Sequence, residues 1–201
     1  MLSRLDRDTT EVIAMLREAL TASELSQASF ARAIGTSGPR LSTYLSGDTK
    51  PSAQFVVRAR RLGRALGGAA DRGLMSAPVT AAAMRTHLLA GDTAWVWRML
   101  LQGRDHLAAI IEEGEQALLD SWEAQPGSVG STEWDALLAA VVEHEFETAG
   151  LEAPAWTRLA PLAVPWMPDH PFLSAERVRA QTPDWLSSRN IYVPRRDLVT
   201  A

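Results

Sequence analysis

Apolar residues recur every three or four positions through the first third of the chain. Val12, Leu16 and Leu20 fall at four-residue intervals with Ile13 beside them, which predicts a first helix capped by Thr9 or Thr10. Ser26 then reads as the cap of a short helix that runs to Ile34 and buries Phe30, Ala31 and Ile34. Gly35 ends it, at a position suited to positive φ. Ser37 caps a third helix whose first turn holds Gly38 and Pro39, where the N–H that proline lacks has no intrahelical partner in any case. That helix runs to about Leu45, buries Leu41 and Tyr44, and stops at Gly47. Asp48–Pro51 reads as a turn, and Ser52 caps a fourth helix with Phe55, Ala59, Leu62 and Leu66 along one face.

The pattern changes after Leu66. Residues 67–78 are glycine-rich and poor in large apolar side chains, and read as a linker or its shoulder. Beyond them, helices are predicted over 79–90, 92–101 and 105–122, a turn over 125–131, and a helix over 132–150 carrying Trp134, Leu137, Leu138, Val141 and Val142. Seven prolines follow residue 153, a density that forbids long helices. One short helix, Ala175–Gln181, and one strand, 191–193, fit there. The fold class expected is mainly α: an N-terminal domain of four to five helices over 1–70, a linker over 71–78, and a larger, mostly helical domain over 79–201 with a Pro-rich irregular tail.

Charge and aromatic content mark the same division. The 201 residues carry a formal net charge of −4, yet 1–75 hold 11 Lys and Arg against 7 Asp and Glu, and Ser26–Leu66 hold 7 against 1. All seven Trp lie between Trp95 and Trp185. A basic segment on an acidic body suggests a polyanion-binding module joined to a regulatory, dimerisation or partner-binding domain. Trp95, Trp122 and Trp134 read as core.

Several chemistries find no support. There is no cysteine, so disulfides and thiolate metal sites are excluded, in keeping with a reducing cytoplasm. No apolar run approaches a membrane span and the N-terminus shows no signal-peptide pattern, so a cytoplasmic protein without membrane association is expected. Glu143, His144, Glu145 and Glu147 crowd together, but no second His follows at i+4, and they read as an acidic helix face rather than a metal site. Gly67-Gly68 lacks a phosphate-loop Lys and a following strand, and no nucleophile-elbow pattern surrounds any Ser. Neither catalysis nor a cofactor is expected.

One arrangement does carry chemistry. Two short helices joined at Gly35–Ser37, with Ala31 allowing close approach and Ile34 and Leu41 closing the small core between them, meet the demands of a helix-turn-helix. The third helix would then present Gly38, Pro39, Arg40, Ser42 and Thr43 outward. In that motif the N-terminal part of the second helix meets base edges in the major groove.

The stretch SQASFARAIGTSGPRLSTYLSGDTKPS resembles the Cro/C1-type, or XRE-family, helix-turn-helix. The match rests on Gln27, Phe30-Ala31, Gly35, Leu41, Gly47 and Pro51-Ser52, and covers about residues 9–66. The resemblance implies a lambda-repressor-like domain on double-stranded DNA. By position it places Gln27 on phosphate and makes Ser37 a cap touching the backbone. Gly38, Pro39, Arg40, Ser42 and Thr43 come on or near bases, and Thr49 and Lys50 hold the next phosphate. Arg40 has two readings, a bidentate contact to guanine or a phosphate contact. Arg58, Arg60, Arg61 and Arg64 read as a solvated helix face.

The tail is similar to the C-terminus of actinobacterial XRE-type antitoxins, through Pro171-Phe172-Leu173, Thr182-Pro183 and Arg189-Asn190-Ile191-Tyr192-Val193-Pro194. That resemblance implies a cognate toxin protein as partner and an autoregulating repressor. The alternative is a free-standing regulator whose C-terminal domain dimerises or senses a small ligand. On either reading a homodimer is expected, because a lone helix-turn-helix buries too little surface for specific affinity.

Overall fold

The computed structural model describes residues 6–170 and 172–200; Met1–Leu5, Pro171 of the tail motif and Ala201 lie outside the described residues. The described chain is mainly helical. Two compact units emerge, one of Met1–Val79 with Glu113–Gly127 and the other of Thr80–Glu112 with Ser128–Ala201. The expected division into 1–70, 71–78 and 79–201 therefore differs from the observed one, because a later segment returns to the first unit.

Within the first unit, α1 spans Arg7–Ala22, α2 Gln27–Ala33, α3 Gly38–Ser46 and α4 Ala53–Asp71. Three of the expected caps are in place: the hydroxyls of Ser26, Ser37 and Ser52 accept from the N–H groups of Ser29, Arg40 and Phe55. Gly35 and Gly47 end α2 and α3 with φ of 74° and 81°, the left-handed region that a side chain disfavours.

The first cap is corrected. It is Asp6, whose carboxylate accepts from Thr9 N at 2.7 Å and from Thr9 Oγ1 at 2.8 Å. An anion at the positive end of a helix outranks a threonine hydroxyl there. These two bonds, with a smaller contribution from Lys50, hold the Asp6 carboxyl below its ordinary pKa. A depressed carboxyl stabilises the fold above its unfolded pKa, and that contribution is lost as pH falls through the folded value. Asp6→Asn should therefore flatten the loss of stability on acidification below the ordinary carboxylate range. Denaturant midpoints measured against pH check this; parallel profiles for both proteins would remove Asp6 from the account.

Helix α4 does not stop at Leu66. It continues through Gly67 and Gly68 to Asp71, leaving only Arg72–Ser76 of the expected linker outside helix. The glycines are there for contact. A Cβ on Gly63 would lie 2.5 Å from Ala19 O, and one on Gly67 would lie 2.3 Å from Ala22 O, so both admit the backbone of α1. The core they help close includes Leu16, Phe30, Ala31, Ile34, Leu41, Tyr44, Phe55, Ala59 and Leu62, with the Tyr44 and Phe55 rings 5.0 Å apart.

The returning segment carries α7, Gln116–Glu123. The helices expected over 92–101 and 105–122 are divided differently: one helix, α6, Thr93–Glu113, takes the first and the start of the second, and Gly114 at φ 68° separates it from α7, which takes the rest. In the first unit, α7 packs on α4, and Ala124 joins Ala33 and Leu66 in a small buried cluster. Arg61 of α4 pairs with Asp120 and Glu123, both at 2.7 Å, and Gln125 N donates to Ala33 O at 3.2 Å. A fragment ending at residue 75 would lose this cover. It should bind a hydrophobic dye and melt earlier than the whole chain; equal stability would show that α7 contributes nothing to the first unit.

The second unit contains most of α5, Ala77–Leu89, most of α6, and α8, Thr132–Thr148. Gly103 lets α6 run unbroken past the start of α5, since a Cβ there would meet Thr80 Cγ2 at 2.6 Å. Trp134 is buried and edge-on to both Trp97 and Trp166, at 5.1 and 5.3 Å. Trp122, in the first unit, is also buried. Trp95 departs from the core expectation. It is 42% exposed, stacked on His87 and covered by Arg98. The acidic run on α8 is used structurally: Glu143 pairs with Arg189, Glu145 with Arg104 at 2.8 Å, and His144 stacks on Trp185 at 4.2 Å.

In the tail, α9 spans Ala175–Gln181, as expected, followed by the short α10, Asp184–Ser187. The expected strand over 191–193 is a single parallel bridge between Trp166 and Ile191. It is held by Trp166 N donating to Asn190 O and Tyr192 N donating to Trp166 O. Pro165, Pro168 and Pro194 flank it without N–H donors, so the ladder cannot lengthen. Among the described residues no helix is long and apolar enough to cross a membrane.

Candidate nucleic-acid interface

Ser37's cap fixes where α3 begins, and Leu41 and Tyr44, both buried, fix which face turns inward. The remaining positions face out. Pro39, Arg40 and Ser42 are exposed, and Gly38 and Thr43 are half-exposed. A Cβ on Gly38 would meet no atom within 4 Å, so the start of α3 is open to whatever approaches it. All nine residues singled out, Gln27, Ser37, Gly38, Pro39, Arg40, Ser42, Thr43, Thr49 and Lys50, are at least partly accessible, and none is in the core.

Arg40 is held rather than free. Its Nε donates to the Tyr44 hydroxyl at 2.7 Å, and its guanidinium lies 5.8 Å from the Tyr44 ring centre. The hydroxyl oxygen raises the Arg40 pKa further above its ordinary value, so the group is a permanent cation. With Nε engaged, the two terminal nitrogens are left as a fork, the geometry that suits a bidentate acceptor pair. The apolar pattern alone marks Tyr44 as core and gives no hint of this bond. The i, i+4 spacing of Arg40 and Tyr44 is the signal that places them side by side.

The loop after α3 is also organised. Thr49 N donates to Thr43 O at 3.1 Å, and Ser46 Oγ donates to Asp48 Oδ2 at 2.6 Å. Lys50 Nζ lies 3.4 Å from Asp6 Oδ2, an exposed pair with little energy behind it, so the ammonium can exchange this carboxylate for another anion. From α1, Arg17 Nη2 donates to Leu45 O at 3.3 Å and ties down the C-terminal turn of α3.

The four arginines of α4 do not behave as one solvated face. Arg61 is engaged by Asp120 and Glu123, and Arg58 lies 6.0 Å from the Phe55 ring centre. Among the described residues, neither Arg60 nor Arg64 has a carboxylate partner. Comparison of the chain with protein-family models, curated proteins and solved structures gives no match.

Proposed function

We propose that this chain is a sequence-specific transcriptional repressor that binds double-stranded DNA as a homodimer, with α3 entering the major groove. The observation that supports it most is the outward face of α3: a cap-fixed, sterically open N-terminus followed by Arg40, whose fork is aimed by Tyr44. The excess of basic over acidic residues in Ser26–Leu66 supplies the sequence-independent attraction such binding needs. On this reading Arg40 reads bases, Ser42 and Thr43 lie beside it, and Gln27, Ser37, Thr49 and Lys50 meet phosphates.

The test is repeated selection from a pool of random duplexes by the full-length protein, followed by footprinting. Convergence on two half-sites about one helical turn apart is expected. Recovery of an unenriched pool after several rounds would overturn the reading. Tyr44→Phe leaves the ring but removes the acceptor of the Arg40 bond. It should weaken specific binding by a few-fold with little change in melting temperature, as a competition titration on the selected site would record.

In the fuller form of the proposal the C-terminal part binds a cognate toxin and the repressor is an autoregulating antitoxin. Support for a protein partner comes from the tail motif and from the apolar side chains the second unit leaves exposed, Phe172 at 86% and Val164 at 73%. Nuclease-treated pull-down from the native host should recover one near-stoichiometric protein. Recovery of the chain alone favours the free-standing regulator, a reading supported by a cavity of about 500 Å³ in the second unit lined by Trp97, Tyr192 and Phe172.

A further inference from the structure

The first unit contains a second feature that DNA binding does not use. A groove of about 790 Å³ runs along α4, walled on one side by α1 and on the other by α7. Its lining is mostly apolar, from Val12 and Met15 of α1, Val56 and Val57 of α4 and Leu118 of α7. Val57 is 67% exposed there, unusual for a valine on the helix that carries the unit's core. Four arginines, Arg60, Arg61, Arg64 and Arg72, also line it.

Their charges are not equivalent. Arg61 is neutralised by Asp120 and Glu123, and Arg72 by Glu115 at 2.7 Å with Glu113 further off. Arg60 and Arg64, one turn apart, have no carboxylate partner among the described residues. The groove therefore holds an apolar bed with two uncompensated guanidinium groups on the same helix face. A volume of this size falls within the roughly 300–1,000 Å³ of small-ligand sites, which combine apolar walls with a few placed polar groups.

We propose that this groove binds an amphiphilic anion, a molecule with an apolar body and a single carboxylate or phosphate head. The body lies on Val12, Met15, Val56, Val57 and Leu118, and the head is bound by Arg60 and Arg64. A pair of forked cations matches the oxygens of either head, whereas a neutral apolar molecule leaves both charges unanswered. The site is formed by α1, α4 and α7 alone, and the proposal does not depend on the DNA-binding reading.

The test uses the full-length protein with dodecanoate, dodecyl phosphate and dodecanol, all below their aggregation concentrations. Binding is followed by calorimetry and by amide chemical shifts. Both anions should bind in the micromolar range, with shifts concentrated at Val57, Gly68 and Leu118, and dodecanol at least about tenfold more weakly. Binding of one anion and not the other would assign the head as carboxylate or phosphate. Arg60→Gln with Arg64→Gln should remove the preference for anions, and the Lys pair should restore part of it. Val57→Glu, at an exposed position, should abolish binding of both anions with the fold intact by circular dichroism. The proposal is overturned if neither anion binds below millimolar concentration, or if the Gln pair leaves the head preference unchanged. It also fails if Val57→Glu only lowers the particle mass, which would make the groove a contact between copies.

Discussion

Arg40→Ala is expected to lower affinity for the selected duplex by roughly ten- to a hundredfold, the range of one lost bidentate base contact. Binding to random duplex should fall far less, by the share of one phosphate among several. The difference between the two losses is the informative quantity. Tyr44 holds Nε at 2.7 Å, so on the proposed reading the wild-type fork would meet a base with little side-chain freedom left to lose. Competition titrations against both duplexes at one salt concentration measure it. Equal losses would assign Arg40 to phosphate and move base reading to Ser42 and Thr43. Arg40 is exposed and its tie to the core is the single bond to the Tyr44 hydroxyl, so the melting temperature should change little.

The largest effect on stability is expected at Gly63 and Gly67. Alanine in a helix interior ordinarily gains up to about 1 kcal/mol over glycine. Here that gain is outweighed, because each new methyl would sit 2.5 or 2.3 Å from a carbonyl oxygen of α1. The obstacle is backbone, so relief requires α1 and α4 to separate, opening the core to which Leu16 of α1 and Leu62 of α4 both belong. Overpacking of this kind costs about 1–3 kcal/mol per site and more where nothing yields. Gly63→Ala combined with Gly67→Ala should leave the first unit largely unfolded. Gly68→Ala supplies the contrast. Its methyl would meet only Leu118 Cδ2, at 3.3 Å, the far end of a flexible side chain, and the propensity gain should roughly cancel the contact. Chemical denaturation of the two variants beside the wild type checks the order; similar stability throughout would show that α1 and α4 can part without loss.

Local chemistry made much of the first unit readable. Ser26, Ser37 and Ser52 each stand before an apolar repeat, and a hydroxyl there satisfies an N–H that the helix itself cannot. Gly35 and Gly47 stand where the chain reverses, at angles other residues resist. Such signals act within four residues, so these three caps, the ends of α2 and α3 and the inward face of α3 were all present in the sequence. The outward set on α3 followed by subtraction, once Leu41 and Tyr44 were assigned to the core.

What the sequence could not supply was decided by distant partners. Gly67-Gly68 has the composition of a linker, yet it is helix, with Gly67 against the backbone of α1 and Gly68 against Leu118 of α7. The helix expected to stop at 101 likewise continues, and Gly103 within it has Thr80 lying against it. The return of 113–127 to the first unit depends on Ala33, Leu66 and Ala124 meeting, three small and medium side chains with no periodicity in common. Arg60 and Arg61 are adjacent and chemically identical. Asp120 and Glu123, some sixty residues later, pair with Arg61, while Arg60 has no carboxylate partner among the described residues. Periodicity and capping depend on neighbours along the chain and were therefore set by sequence. Which glycine is a contact and which arginine has a carboxylate partner depends on neighbours in space, and only the tertiary structure brought those together.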